Sequence, residues 1–209
     1  MRIKICGITN LVDAEAAVHY GADALGFIFH EPSPRYISAM RAAEITKRLP
    51  PFVNVTGVFV NAATNDILET AKRCFLDTIQ LHGEEGPDSC RAIMESGYKV
   101  IKAIRVKDEG SLAMLSRYPL ASAFLLDSYS RETYGGSGEK FDWTLAQKAK
   151  EYGKIILAGG LTPDNVAEAI REVEPYGVDV SSGVEKSPGL KDHGKLKAFF
   201  EAVAGAAKN

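Results

Sequence analysis

Short apolar runs rich in Ile, Val, Leu and Phe alternate along the chain with longer amphipathic stretches, the pattern of βα units laid around a parallel sheet. Eight runs read as strands: Arg2–Cys6, Ala24–Phe29, Asn54–Val60, Thr78–Leu81, Lys99–Ile104, Ala123–Asp127, Lys154–Ala158 and Val178–Ser181. The intervening pattern predicts helices near 11–20, 39–49, 64–74, 87–96, 108–117, 142–152, 163–173 and 190–204. Eight repeats in 209 residues give about 26 residues per unit, which predicts an α/β fold: a compact (β/α)8 TIM barrel of eight parallel strands, as one domain over 1–209. A doubly wound sheet also alternates strand and helix. It usually has fewer strands, however, and often a Gly-x-Gly-x-x-Gly after the first, which is absent here.

Local signals support the segmentation. Tyr20-Gly-Ala-Asp-Ala24 echoes Tyr176-Gly-Val-Asp-Val180, and Gly21 and Gly177 suit the left-handed position that closes a helix. Thr162-Pro163-Asp164 predicts a helix start, with a capping hydroxyl, a proline at the first position and an acid in the first turn. Asn10 with Asp13 resembles a capping box with a shortened reach. Strand alternation turns Lys4 and Asp179 the same way as Cys6 and Ser181, into the barrel. The first and last strands become neighbours on closure, so the two charges are expected to pair there. The glycine-rich segment Ser128–Lys140 is the conspicuous irregular stretch, and a lid is one reading of it.

Composition narrows the partners. With 25 Lys and Arg against 27 Asp and Glu the net charge is −2, so the basic surplus that holds nucleic acid is missing. Three cysteines, Cys6, Cys74 and Cys90, form no Cys-x-x-Cys pair and fit neither a disulfide framework nor a zinc site, so no metal is expected. Arg2, Lys4 and Asn10 interrupt any early apolar run, and no stretch reaches membrane-spanning length. A cytoplasmic protein acting on a small molecule is expected, without nucleic acid or membrane.

Active sites of this fold lie at the carboxyl ends of the strands, so the polar residues ending each run are the candidates. Glycine-containing turns follow the seventh and eighth strands, Gly159-Gly160 and Ser181-Ser182-Gly183. Both are able to present backbone N–H groups to a phosphate, the second through a short extra helix. Asp127 ends a buried strand, where desolvation would favour the protonated form that a general acid needs. Cys6 precedes Gly7, where an approaching helix terminus would favour a thiolate. Arg35 sits in the doubly proline-stiffened Glu31–Tyr36 loop, ready for a carboxylate. Gln80 and His82 are candidates to line the pocket. Each has an ordinary structural reading as well: a turn, a cap, a buried thiol, a surface arginine.

Taken in order, the motifs resemble the phosphoribosylanthranilate isomerase family over essentially the whole chain. They are Lys4-Ile-Cys-Gly-Ile-Thr9, Gly21–Phe27, Ser33-Pro-Arg-Tyr-Ile37, Gly57-Val-Phe-Val-Asn61, Gln80-Leu-His-Gly83, Leu126-Asp127, Tyr134–Gly138 with Phe141-Asp-Trp143, Ala158-Gly-Gly-Leu161 and Val178–Glu185. The resemblance implies an isomerase of tryptophan biosynthesis that performs an Amadori rearrangement of N-(5-phosphoribosyl)anthranilate to the aminoketose 1-(2-carboxyphenylamino)-1-deoxyribulose 5-phosphate. It implies Asp127 as general acid on the furanose ring oxygen and Cys6 as general base at C2, with a thiol pKa lowered by the site. It further implies Arg35 on the anthranilate carboxylate and phosphate on the two turns. No external cofactor is implied, because the substrate's own iminium is the electron sink, and a monomer or homodimer is expected. Other readings are a different phosphosugar barrel enzyme and a phosphate-ligand-binding barrel without catalysis. The related isomerase of histidine biosynthesis would pair aspartates on strands one and five, where this chain has Cys6 and Lys102.

Overall fold

The computed structural model describes residues 1–128 and 143–206; of the Ser128–Lys140 segment, everything beyond Ser128 lies outside the described residues. Eight strands are formed: β1 (Arg2–Cys6), β2 (Ala24–Ile28), β3 (Asn54–Phe59), β4 (Thr78–Leu81), β5 (Lys99–Val106), β6 (Ala123–Ser128), β7 (Ile155–Leu157) and β8 (Gly177–Val180). They close in sequence order into a barrel in which β8 returns to β1. All neighbours are parallel, and Lys4 stands opposite Ala24 on one side and Asp179 on the other.

The helices are α1 (Leu11–Tyr20), α2 (Ala39–Thr46), α3 (Thr64–Arg73), α4 (Pro87–Glu95), α5 (Glu109–Leu112), α6 (Trp143–Ala149), α7 (Val166–Val173) and α8 (His193–Ala206). Turns of 3-10 helix continue α5 and α6, so the fifth and sixth units end more tightly than a uniform helical pattern suggests. At the start of α1, Asn10 Oδ1 accepts the Asp13 N–H at 2.9 Å, and Gly21 ends the helix with φ 108°, as the sequence indicates.

Three local expectations are corrected. Gly177 does not close a helix; it is the first residue of β8, where a Cβ would come within 3.0 Å of the Arg2 carbonyl oxygen. Glu174, at φ 48°, takes the left-handed position instead. Regular α7 begins at Val166 rather than 163, because Thr162 and Asn165 first wind a separate turn. The Thr162 N–H donates to Asn165 Oδ1 at 2.8 Å, and Asn165 Nδ2 donates to the Gly160 carbonyl at 2.9 Å. Finally, an antiparallel hairpin of β9 (Glu185–Ser187) and β10 (Leu190–Lys191) precedes α8. Strands of two and three residues are too short to show a hydrophobic period.

Alternation along the strands sorts the core into two parts. Phe124, Leu126, Ile155 and Leu157 face outward and join the large cluster under the helices. Ile101, Ala103, Ala123, Leu125, Ile156 and Ala158 face inward as a separate apolar cluster on the β5–β7 wall. The opposite wall is polar. Thr56 Oγ1 donates to Asn54 Oδ1 at 2.8 Å, Asn54 Nδ2 donates to Thr78 Oγ1 at 3.0 Å, and Lys4 Nζ donates to Asp179 Oδ1 at 2.8 Å.

Candidate active site

The carboxyl ends of the strands open into one pocket. Cys6, Arg35, Gln80, His82 and Asp127 line it, and so do Gly159, Gly160, Ser181 and Ser182 from the last two turns. Gly183 does not. Its role is packing: a Cβ there would lie 1.9 Å from the Leu161 carbonyl oxygen, so only glycine lets the loop after β8 press against the loop after β7. Gly159 and Gly160 both have positive φ, 77° and 67°, which turns the chain sharply at the end of β7. The short extra helix expected after β8 is a single 3-10 turn, Ser182–Val184.

Asp127 is held by a neighbouring imidazole. Its Oδ2 lies 3.3 Å from His82 Nε2, and His82 Nδ1 lies 2.9 Å from Gln80 Nε2. Gln80, His82 and Asp127 thus form a side-chain chain that fixes the imidazole against the carboxylate. His82 is anchored in turn by the loop that carries it. Glu85 accepts N–H groups from Asn61 at 2.7 Å and Gly83 at 3.0 Å. The buried Lys102 ammonium donates to Glu85 Oε2 at 3.0 Å and to the Gly83 carbonyl at 2.6 Å. Lys102 points out of the barrel, toward Tyr118, and takes no part in lining the pocket.

Cys6 lies among buried charges. Lys191, carried by β10, donates to the Cys6 carbonyl at 2.5 Å, the Ser181 carbonyl at 3.3 Å and Glu185 Oε1 at 2.9 Å. Glu185 also receives Arg35, with Nε at 3.0 and 3.1 Å from its two oxygens and Nη2 at 2.8 Å from Oε2. Arg35 is therefore oriented by a carboxylate of its own chain, and Nη1 has no bonded partner among the described residues. Burial would raise the Glu185 pKa, but Arg35 and Lys191 outweigh it and hold the carboxyl below its usual range. For Lys191 the balance reverses, and burial pulls its ammonium down despite Glu185.

The thiol of Cys6 departs from expectation. Burial pushes its pKa up, Lys4 and Lys191 pull it down, Asp179 adds to the upward push, and the net direction is up. Desolvation outweighs the nearby ammonium groups, so the thiolate is not favoured as the sequence suggests.

Sequence reasoning found the residues at strand ends and passed over those that hold them. Glu185, Lys191, Glu85 and Lys102 were not candidates, nor was Arg105, which stands opposite Asp127 in register. Two buried polar atoms of the candidates, Gln80 Oε1 and Ser181 Oγ, have no hydrogen-bond partner among the described residues. A pocket with unspent polar atoms, a carboxyl and a thiol on opposite walls and a guanidinium at its edge has the parts to bind a polar anion and move protons on it.

Residues 3–202 match the family model described as PRAI, N-(5'phosphoribosyl)anthranilate (PRA) isomerase. A relative from Geobacter sulfurreducens named N-(5'-phosphoribosyl)anthranilate isomerase is 52% identical, covering 98% of this chain and 99% of its own length. A crystal structure of phosphoribosyl anthranilate isomerase from Thermotoga maritima superposes with a TM-score of 0.93 at 45% identity, covering 98% and 99% of the two chains. Another solved structure of such an isomerase, in complex with reduced 1-(o-carboxyphenylamino)-1-deoxyribulose 5-phosphate, has a TM-score of 0.89 at 44% identity over 98% and 99%.

Proposed function

The chain belongs to the N-(5'-phosphoribosyl)anthranilate isomerase family, and within that activity we propose how its residues divide the work. The reaction is the Amadori rearrangement of N-(5'-phosphoribosyl)anthranilate to 1-(2-carboxyphenylamino)-1-deoxyribulose 5-phosphate in tryptophan biosynthesis. Asp127 gives its proton to the ring oxygen, the bond from C1 to that oxygen breaks, and the anilino nitrogen lone pair forms the iminium. The Cys6 thiolate then takes the C2 proton. The C–H electrons form a C1–C2 double bond while the iminium electrons return to nitrogen, and the resulting enolamine tautomerises to the ketone. The substrate supplies its own electron sink, so the steps call for no cofactor or metal.

The remaining residues bind. Arg35, held by Glu185, offers its free Nη1 to the anthranilate carboxylate. Gly159, Gly160, Ser181 and Ser182 take the phosphate, with Gly183 shaping the second turn. Gln80 and His82 meet the reacting sugar and orient Asp127. Anchoring both ends of the substrate fixes the reacting carbons between acid and base. Residues 1–209 act as one catalytic domain, in the cytoplasm, as a monomer or homodimer on a small phosphosugar, without nucleic acid or membrane. Among the described residues no helix is long and apolar enough to cross a membrane.

The observation that carries the assignment of roles is the placement of Cys6 and Asp127 in one pocket with both glycine turns. The test follows the fluorescence of phosphoribosylanthranilate generated in place from anthranilate and phosphoribosyl pyrophosphate by a separate transferase. The signal should decay with the wild-type protein and persist with Cys6→Ala, the aminoketose being identified by mass. Undiminished decay in Cys6→Ala would remove the thiol from the mechanism.

A further inference from the structure

A buried thiol that must act as a base needs a counter-ion, and two ammonium groups lie near it. Lys191 is not free for the sulfur, since its three donor positions are taken by the Cys6 carbonyl, the Ser181 carbonyl and Glu185. Lys4 is different. It is buried two residues below Cys6 on the same face of β1, and its one hydrogen bond among the described residues goes to Asp179 Oδ1 at 2.8 Å. Two donor positions remain.

Gly26 brings Lys4 and Cys6 together. It stands beside Cys6 in register on β2. The point where its Cβ would lie is 2.8 Å from Cys6 Sγ and 3.1 Å from Lys4 Cε. Sulfur and ε-carbon thus share the space left by one missing side chain, and the ammonium is one bond beyond that carbon. Any larger residue at 26 would push the two apart.

We propose that Lys4 is a positioning residue for catalysis: held from β8 by Asp179, its ammonium is the built-in counter-ion that lets Cys6 exist as a thiolate inside the barrel. When the S–H proton leaves through the open pocket to water, the thiolate that forms sits against the ammonium and takes the C2 proton. Asp179 has two opposed effects, keeping Lys4 charged and in place while its own charge disfavours the thiolate. The other charged or titratable groups around the sulfur are Lys191 on the backbone side and Arg35, His30, His82 and Asp127 around the mouth. Burial works against the Lys4 ammonium, but Asp179 beside it more than offsets that, and the net direction is up.

The inference rests on the reading of Cys6 as the base, and its test reads the sulfur without turnover. Alkylation of Cys6 by iodoacetamide, resolved from Cys74 and Cys90 by peptide mass spectrometry, is followed against pH in wild type, Lys4→Met and Asp179→Asn. In Lys4→Met the alkylation midpoint should rise by about one pH unit or more. The kcat at pH 7 should fall about tenfold and recover as pH rises, with KM little changed. In Asp179→Asn the midpoint should move the other way, because Lys4 keeps a hydrogen-bond partner and loses its competing anion. Should Lys4→Met fail to fold, Lys4→Gln, which keeps a hydrogen bond to Asp179 without the charge, should show the same rise in midpoint. Wild-type midpoints in the folded variants, or a kcat loss in Lys4→Met that pH does not restore, would overturn the role of Lys4. Turnover surviving in Cys6→Ala would instead overturn the base itself, and the two failures are separable.

Discussion

Cys6 and Asp127 stand on unlike walls of the same barrel. Below Cys6 the interior is ionic: Lys4 and Asp179 pair at 2.8 Å, and Lys191 and Glu185 close over the strand end. Below Asp127 on β6 lie Leu125 and Ala123, part of the apolar cluster of β5–β7, and its carboxylate lies 3.3 Å from the His82 ring. A group that works as a buried anion needs cations supplied by the fold, because desolvation otherwise keeps it neutral. A group that works as a proton donor needs orientation first, and here the Gln80–His82 chain supplies it. The fold places these demands on opposite sides of the pocket.

The largest effects should come from removing the two groups themselves. Asp127→Asn and Cys6→Ser should each lower kcat by about 10²–10⁴-fold while KM changes only a few-fold, the expected loss for a proton-transfer group. Steady-state kinetics check this. Activity preserved in either variant would show that the wall bearing that residue is structural.

Next comes the contrast between the walls in stability. Glu185 is buried and holds both Arg35 and Lys191, so Glu185→Gln leaves two cations under-compensated. It should cost about 3–5 kcal/mol in urea unfolding and should raise KM as Arg35 loses its orientation. His82→Asn on the other wall removes one contact to the carboxylate and should cost about 1–2 kcal/mol, with its main effect on kcat. Equal costs would erase the distinction.

Acid sharpens the same contrast. Glu185 and Asp13 are both held below their ordinary values of 4.5 and 3.8, Asp13 because bonds from the Lys191 N–H, His193 and Asn10 outweigh its burial. A carboxyl with a depressed folded pKa binds fewer protons folded than unfolded. Its contribution is therefore complete above the ordinary value and is lost as pH falls through the folded one. Thermal unfolding should show stability falling below about pH 4.5, and Glu185→Gln should flatten that fall. An unchanged slope in the variant would place the acid sensitivity elsewhere.

Legibility in the sequence follows the range of the physics involved. Strands, α1 and the barrel count are carried by periods of two and 3.6 residues and by caps such as Asn10 and Gly21, all local. The Lys4–Asp179 pair was also readable, because alternation and barrel closure place both charges inside on adjacent strands. The Glu185 hub was not, since its bond to Arg35 spans 150 positions and Lys191 reaches Cys6 across 185. No local pattern encodes which buried carboxylate meets which cation. Gly177 reads as a helix closer for a related reason: its constraint is a neighbouring backbone, that of Arg2, which is distant in sequence. The direction of the Cys6 shift depends on desolvation against several charges at once, and a motif does not contain that sum.

The smallest expected effect tests whether burial, rather than ion pairing as such, makes the walls differ. Glu69 and Arg73 form a pair at 3.1 Å on the outer face of α3, with both side chains more than half exposed. Water screens that attraction, and ordering two long side chains offsets much of what remains. Glu69→Ala should therefore change stability by no more than about 0.5 kcal/mol, and added salt should remove even that. Its kinetics should match wild type, because α3 contributes nothing to the pocket. The pairs at Glu185 and Lys4 have similar distances, 2.8 to 2.9 Å, so distance cannot explain a tenfold difference in cost between Glu69 and Glu185. If Glu69→Ala proved as costly as Glu185→Gln, the argument from desolvation would fail for both walls, and with it the reason for expecting Cys6 to need Lys4.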